Sequence, residues 1–138
     1  MFEVAAIDRE DRLEIEVEEK EGYRIVTPVG ELDIYTVPLF RKVVLKLEGD
    51  RRHDLILDLT RVTFIDSSGL GSLIEIFQKV QSAEGVIAYV VDNPRRLKIF
   101  RLVDLDRVFP VFQNLGRALQ DVGVTGGYVD EEFFSDLT

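Results

Sequence analysis

Hydrophobic and charged residues alternate over residues 13–17 (LEIEV), the pattern of a strand with one buried and one solvated face. A polar turn over residues 19–22 separates this segment from residues 23–29, which predict its hairpin partner. Pro28 lies in the second strand and has no N–H group to donate, so we expect an edge position or a bulge there. Residues 30–33 (GELD) then leave the sheet.

Helical and buried-strand patterns alternate along the rest of the chain. A first helix is predicted from Thr36 and Pro38 to residues 48–50. Residues 54–59, followed by residues 62–65, form a near-continuous apolar run bounded by polar residues, which indicates a strand buried on both faces. Residues 70–80 repeat apolar side chains at helical spacing. The apolar face expected for the first helix consists of Phe40, Val43, Val44 and Leu47.

The last third of the chain continues the same alternation. Residues 86–91 predict another buried strand, and Asn93 and Pro94 predict the start of a helix. Residues 108–112 predict a short edge strand, and residues 113–122 a last helix that Gly123 stops. A hairpin followed by helix–strand alternation predicts an α/β fold whose mixed sheet has parallel crossovers.

Composition narrows the chemistry that this chain can perform. Its 138 residues fit one domain, and the absence of cysteine excludes disulfides, thiolate metal sites and a cysteine nucleophile. The single histidine, His53, lies in a predicted loop at the opposite end of the strand from Ser67, so a Ser-His-Asp triad is not expected. Nucleotide-binding and metal-binding motifs are missing, and we expect neither cofactor nor metal.

Negative charge is concentrated at the two ends of the chain. The net charge is −9, with −6 over residues 1–21, +2 over residues 22–120 and −5 over residues 121–138. The lack of a dense basic patch argues against nucleic-acid binding. The start of the sequence shows no signal peptide, and no apolar stretch reaches the ~18 residues of a membrane span, so we expect a cytoplasmic protein without membrane contact.

The most informative segment is residues 65–71 (IDSSGLG), between the long apolar run and the helical pattern. It predicts a tight strand-to-helix turn at which free backbone N–H groups favour negative charge. Asp66 or Ser67 serves as the N-cap of the helix in one interpretation. In the other, a spare hydroxyl accepts phosphate, and small residues such as Gly69 and Gly71 let a second protein approach. The two interpretations are compatible.

Residues 30–33 (GELD) and 64–71 (FIDSSGLG), in this order, resemble motifs of the STAS domain, and more narrowly of bacterial anti-sigma factor antagonists in sporulation and general-stress partner switching. The resemblance covers about residues 12–122. It implies a mixed, mostly parallel sheet of four to five strands with about four helices. Residues 1–11 would then form an acidic N-terminal extension, and residues 123–138 an acidic C-terminal tail.

The resemblance also implies a function. The first serine of the Asp-Ser-Ser-Gly motif, here Ser67, would be phosphorylated by an anti-sigma factor that is also a serine kinase, and a PP2C-type phosphatase would reverse the modification. The unphosphorylated chain would bind the anti-sigma factor and release the sigma factor, acting as a monomer or weak dimer and not as an enzyme. The expected binding surface consists of Gly30, Glu31, Asp33, Asp66, Ser67, Ser68, Gly69 and Gly71.

Two other functions stay open at this point. The chain could be a STAS scaffold or adaptor without a phosphorylation cycle, in a signalling or transporter complex. It could also be an enzyme in which Asp33 and Asp66 form an acid–base pair, although the sequence offers no further catalytic group. Ser68 and Thr63 are further hydroxyls near Ser67 whose modification the sequence does not decide.

Overall fold

The structure, a computed structural model, describes residues 2–48, 54–93 and 109–125. In these ranges a seven-stranded sheet is combined with three helices. The strands are β1 (Phe2–Ile7), β2 (Leu13–Lys20), β3 (Tyr23–Leu32), β4 (Leu55–Asp58), β5 (Val62–Ile65), β6 (Ile87–Val90) and β7 (Val111–Phe112). The helices are α1 (Val37–Glu48), α2 (Ser67–Ser82) and α3 (Leu115–Thr125).

The sheet is mixed, and its parallel part is built by helical crossovers. Its order is β1-β2-β3-β4-β6-β7, while β5 lies off this path and pairs with β3. Strands β1, β2 and β3 pair antiparallel, and β3–β4, β3–β5, β4–β6 and β6–β7 are parallel. The predicted α/β class and mixed, mostly parallel sheet are confirmed, although the described residues contain seven strands where four to five were expected.

Helices cover both faces of the sheet and make two cores. On one face α1 and α2 pack with fully buried residues such as Phe40, Val44 and Leu73. On the other face Ala118 of α3 joins a smaller cluster that includes Ile56 of β4. The apolar face predicted for α1 is confirmed, because Phe40 and Val44 are buried and Val43 and Leu47 pack against the core.

Pro28 shows why β3 accepts a proline although it lies inside the sheet. The N–H groups of Arg24 and Gly30 point to the β4/β5 side, where they donate to the carbonyls of Asp54 and Arg61. Because N–H directions alternate along a strand, the nitrogen of Pro28 faces the same side. It lies between the segment of β3 that pairs with β4 and the segment that pairs with β5. The missing N–H group therefore removes no ladder bond, and Pro28 is locally at an edge.

The strand β1 was not predicted, because residues 1–11 were expected to form an acidic N-terminal extension. Residues 2–7 pair antiparallel with β2, with a register shift between Val4 and Ala6. Ala6 packs against the main core, whereas Val4 and Ile7 are exposed. Five of the six residues of β1 are apolar, but they do not alternate with polar residues, so the pairing with β2 and not the local pattern decides its structure.

The interpretation of residues 54–65 as one strand buried on both faces is wrong. Residues 55–57 in β4 are buried, but the chain turns after Asp58 and begins β5 at Val62. In β5, Thr63 and Phe64 are exposed. Strand β5 pairs only with the end of β3, so its other edge is unpaired among the described residues, and its two central residues stay open to solvent.

The prediction that Gly123 ends the last helix is also wrong, since α3 continues to Thr125. A glycine inside a helix costs about 1 kcal/mol relative to alanine, which the other residues of a helix can offset. The helix predicted at Asn93 and Pro94 falls largely outside the described residues, as do His53 and most of the tail. Among the described helices, none combines the length and the apolar character required to cross a bilayer.

A bidentate ion pair joins α1 to α2 and gives a testable pH dependence. Arg41 donates from Nε and Nη2 to the two carboxylate oxygens of Glu75, at 2.5 and 2.8 Å. The hydrogen bonds from Arg41 hold the pKa of Glu75 below its usual value. A lowered pKa in the folded state stabilises the fold above the unfolded-state pKa, and this contribution is lost as the pH falls through the folded-state value.

We therefore expect Glu75→Gln to lower the free energy of unfolding at neutral pH and to lower it less at an acidic pH below the ordinary range of a glutamate carboxyl group. Urea titrations at both pH values measure this. Glu3→Gln is the control, because Glu3 is exposed and has no ion pair among the described residues. An equal loss of unfolding free energy for Glu75→Gln at both pH values would contradict the stabilising role of the Arg41–Glu75 ion pair.

Candidate functional site

The residues singled out in the sequence meet at one edge of the sheet. Leu32 and Ile65 are parallel partners at the carboxyl ends of β3 and β5. Asp33 and Asp66 directly follow these partners, and the N–H group of Asp66 donates to the carbonyl of Leu32 at 3.2 Å. The structure thus brings the GELD and DSSG segments side by side, and the DSSG segment forms the N-terminus of α2.

Asp66 is the N-cap of α2 and also fixes the neighbouring loop. Its Oδ1 accepts a hydrogen bond from the N–H group of Gly69 at 2.9 Å. Its Oδ2 accepts one from the N–H group of Ile34 at 3.2 Å, which ties the loop after β3 to the helix. Ser67 is then the first helical residue and is exposed, while Ser68 is half-buried. Of the two capping choices, the structure selects Asp66 and leaves the Ser67 hydroxyl at the surface.

Asp33 has a comparable role at the start of α1. Its Oδ1 accepts hydrogen bonds from the N–H groups of Tyr35 and Thr36 at 2.9 and 3.0 Å. The fully buried Thr36 hydroxyl in turn accepts from the N–H group of Asp33 and donates to the carbonyl of Glu31. These reciprocal bonds resemble a capping box. The Asp33 and Asp66 carboxylates both accept from backbone N–H groups, and neither forms an ion pair with a described cation.

Three positions of the predicted binding surface are glycine for different physical reasons. Gly30 has a φ of +120°, and a Cβ there would lie 2.2 Å from the carbonyl oxygen of Arg12. Gly69 is buried, and a Cβ would lie 2.3 Å from the carbonyl oxygen of Leu32. A side chain at either position would collide with a backbone carbonyl group, so the packing of the protein itself requires these two glycines. Gly71 is exposed, and a Cβ there would meet no atom within 4 Å, so of the three it alone offers a partner open space.

Exposed apolar side chains near Ser67 were not recognised in the sequence. Ile34 and Tyr35 in the loop after β3 are 62% and 70% exposed, and Phe64 on β5 is 51% exposed. Phe64 lies opposite the half-buried Glu31 in the β3–β5 pairing. The only signal in the sequence was the position of Ile34 and Tyr35 directly after the GELD segment. The hydrophobic pattern by itself cannot tell an exposed apolar residue from a buried one. Exposed apolar residues at one edge are typical of a binding surface.

Arg12 is a further residue of this edge that the sequence did not indicate. Its guanidinium lies over the ring of Tyr35, at 5.3 Å from the centroid. The described residues contain no cluster of histidine, aspartate and glutamate side chains that could hold a metal ion. The edge therefore combines an exposed serine, two capping carboxylates, apolar side chains and one arginine, a composition suited to protein binding.

Comparisons with known proteins agree with this fold. The family model of the STAS domain matches residues 14–118. The chain is 30% identical over 122 residues to the anti-sigma-F factor antagonist RsfB of Mycobacterium tuberculosis, covering 87% of this chain and 96% of the relative. It is 29% identical over 113 residues to an anti-sigma F factor antagonist of Paenibacillus polymyxa, covering 81% and 97%.

A solved structure gives the same result in three dimensions. The crystal structure of an anti-sigma factor antagonist from Mycobacterium paratuberculosis superposes with a TM-score of 0.73 at 28% identity. The alignment covers 86% of this chain and 99% of that one. By sequence and by fold, this chain belongs to the STAS domain family, and relatives of high similarity are named anti-sigma factor antagonists.

Proposed function

We propose that this protein is an anti-sigma factor antagonist controlled by phosphorylation of Ser67. Without phosphate it binds an anti-sigma factor, and the sigma factor is released. The same anti-sigma factor, acting as a serine kinase, then transfers phosphate from ATP to Ser67 and dissociates. A PP2C-type phosphatase restores the binding form. In this cycle the chain is a binding partner and a kinase substrate, and it catalyses no reaction itself.

The observation that carries the proposal is the position of Ser67. It is exposed at the first residue of α2, next to the N-cap Asp66, at the edge where Ile34, Tyr35 and Phe64 are also exposed. A kinase can reach this hydroxyl without unfolding the helix. A protein that covers the apolar side chains of this edge also comes close to the hydroxyl.

The electrostatics of the edge explain why phosphate would change binding. A phosphoserine carries about −1.5 to −2 charges at neutral pH. The N-terminus of α2 favours an anion, so the fold tolerates the modification. Asp33 and Asp66 already make the edge negative, and neither carboxylate is neutralised by an ion pair among the described residues. A partner that docks over Ser67 would have to bury the phosphate without compensation, which costs several kcal/mol.

A kinase assay tests the modification site. The purified chain is incubated with ATP and, one at a time, with each anti-sigma factor of its source organism, and phosphopeptides are mapped by mass spectrometry. We expect stoichiometric phosphate on Ser67 with one of these factors. Ser67→Ala should remove the signal, whereas Ser68→Ala should keep it, because the Ser68 side chain is half-buried.

Phosphate on Ser68 or Thr63 in place of Ser67 would contradict the assigned site. A factor that binds the chain tightly but never phosphorylates it would favour the adaptor function. The matched pair of serines separates these outcomes, since Ser67 and Ser68 share the same turn and differ mainly in accessibility.

A further inference from the structure

The turn between β1 and β2 builds part of the edge that carries Ser67. Asp8 begins this turn, and its N–H group donates to the carbonyl of Leu13 at 2.8 Å. Asp11 adopts a left-handed conformation with a φ of 56°, and its N–H group donates to the carbonyl of Asp8. The turn is therefore a hydrogen-bonded structure and holds its side chains in defined positions.

Asp8 orients the guanidinium of Arg12 within this turn. Arg12 Nε donates to Asp8 Oδ2 at 3.0 Å, and Nη2 donates to Oδ1 at 3.5 Å. The Asp8 side chain is only 10% exposed, and the carboxylate of Glu10 lies 3.7 Å from Arg12 Nε. A forked contact with a fixed carboxylate restricts the plane of a guanidinium far more than a single bond does.

The oriented guanidinium lies over Tyr35, 5.3 Å from the ring centroid. Tyr35 is nevertheless 70% exposed, so the arginine covers only part of the ring. The backbone of Tyr35 is fixed separately, because its N–H group donates to Asp33 Oδ1 at 2.9 Å. An aromatic side chain that is held on one side and open on the other loses little conformational entropy when a partner covers it.

We propose that Tyr35 is the aromatic anchor of the docking surface and that Arg12, oriented by Asp8, is its positioning residue. The partner is the anti-sigma factor, so this inference rests on the proposed function, and the factor would present an apolar pocket that receives the ring. The argument for this occupant is continuity with the Ser67 edge, because Tyr35 follows Ile34, whose N–H group donates to Asp66, the N-cap directly before Ser67. Arg12 and Asp8 lie before residues 14–118, which the family model matches.

The experiment measures affinity and dissociation rate for the anti-sigma factor that phosphorylates Ser67, by biolayer interferometry on the full chain. Tyr35→Ala should weaken binding by about 30-fold or more, as expected for a central aromatic contact, and Tyr35→Phe should keep it within about threefold. Arg12→Gln and Asp8→Asn should each weaken binding by about two- to fivefold, mainly through faster dissociation. Arg12→Lys should restore only part of the loss, since an ammonium cannot make the forked contact.

A double-mutant cycle separates positioning from direct contact. In the Tyr35→Ala background, Arg12→Gln should have no further effect. Ile7→Ala is the control for loss of an exposed apolar side chain, and Arg117→Gln on α3 is the control for loss of an arginine; both should bind like wild type. Unchanged thermal unfolding of each variant excludes a folding defect, as expected for the exposed Tyr35.

The outcomes distinguish this inference from the proposed function. If Ser67→Asp loses binding while Tyr35→Ala keeps it, the anchor is wrong and the proposed function stands. If Arg12→Gln weakens binding equally with and without Tyr35, Arg12 is not a positioning residue. If no anti-sigma factor binds the wild-type chain, both proposals fall.

Discussion

Ser67→Asp should weaken binding to the anti-sigma factor by about 100-fold or more, whereas Ser67→Ala should stay within about fivefold of wild type. The aspartate adds one negative charge at an edge where Asp33 and Asp66 lie without ion-pair partners among the described residues. Docking would remove water from this charge without supplying a donor, which costs several kcal/mol. Loss of the hydroxyl alone removes at most one hydrogen bond of about 1 kcal/mol.

Isothermal titration calorimetry with the purified factor measures both affinities. Ser82→Asp is the matched control, because Ser82 is an exposed serine at the other end of the same helix and the charge change is identical. It should bind like wild type. The chain phosphorylated on Ser67 should lose binding at least as completely as Ser67→Asp. Equal affinities for Ser67→Ala, Ser67→Asp and the phosphorylated chain would refute the proposed switch.

Gly69→Ala should lower the free energy of unfolding by about 2–3 kcal/mol and the melting temperature by about 10 °C. The added Cβ would lie 2.3 Å from the carbonyl oxygen of Leu32 and 2.7 Å from Cγ1 of Ile65. Neither the β3 backbone nor the end of β5 can move without breaking the strand pairing. The N-terminus of α2 would therefore shift away from the sheet, and Ser67 would move with it.

Gly71→Ala is the matched control two residues further along α2. Its Cβ meets nothing within 4 Å, so alanine should stabilise the helix by about 0.5–1 kcal/mol. Urea denaturation of both variants gives the comparison. A destabilised Gly71→Ala or an unchanged Gly69→Ala would show that the close approach of α2 to β3 is not as described. If Gly71→Ala is stable but binds the anti-sigma factor weakly, the exposed glycine serves the partner.

Much of the fold could be predicted because the decisive signals are local. The alternating β2, the helical face of α1 and the buried β4 each follow from the spacing of apolar residues within one segment. The capped start of α2 followed from Asp66 and the two serines, whose side chains compete for nearby N–H groups. Capping depends on residues three positions apart, so the placement of Ser67 at a helix N-terminus did not need the rest of the chain.

Other features depend on contacts that periodicity does not report. The exposure of Thr63 and Phe64 goes with the pairing of β5 to β3 alone, and β1 is defined by its pairing with β2 and not by its own periodicity. The hydrophobic pattern of residues 62–65 is the same whether or not another element covers Phe64. For this reason the sequence predicted a buried strand where the structure has an exposed aromatic residue.

The sequence by itself determined the α/β class, the strand-to-helix turn at Ser67 and the two motifs that form the edge, because each depends on neighbours a few residues apart. Only the tertiary structure decided how the parts of this edge meet. It assigned Gly69 to the close contact with β3, linked Asp66 to the loop of Ile34, and laid Arg12 over Tyr35. These contacts join segments distant in sequence, and their geometry is set by strand register and helix packing, which no local pattern contains.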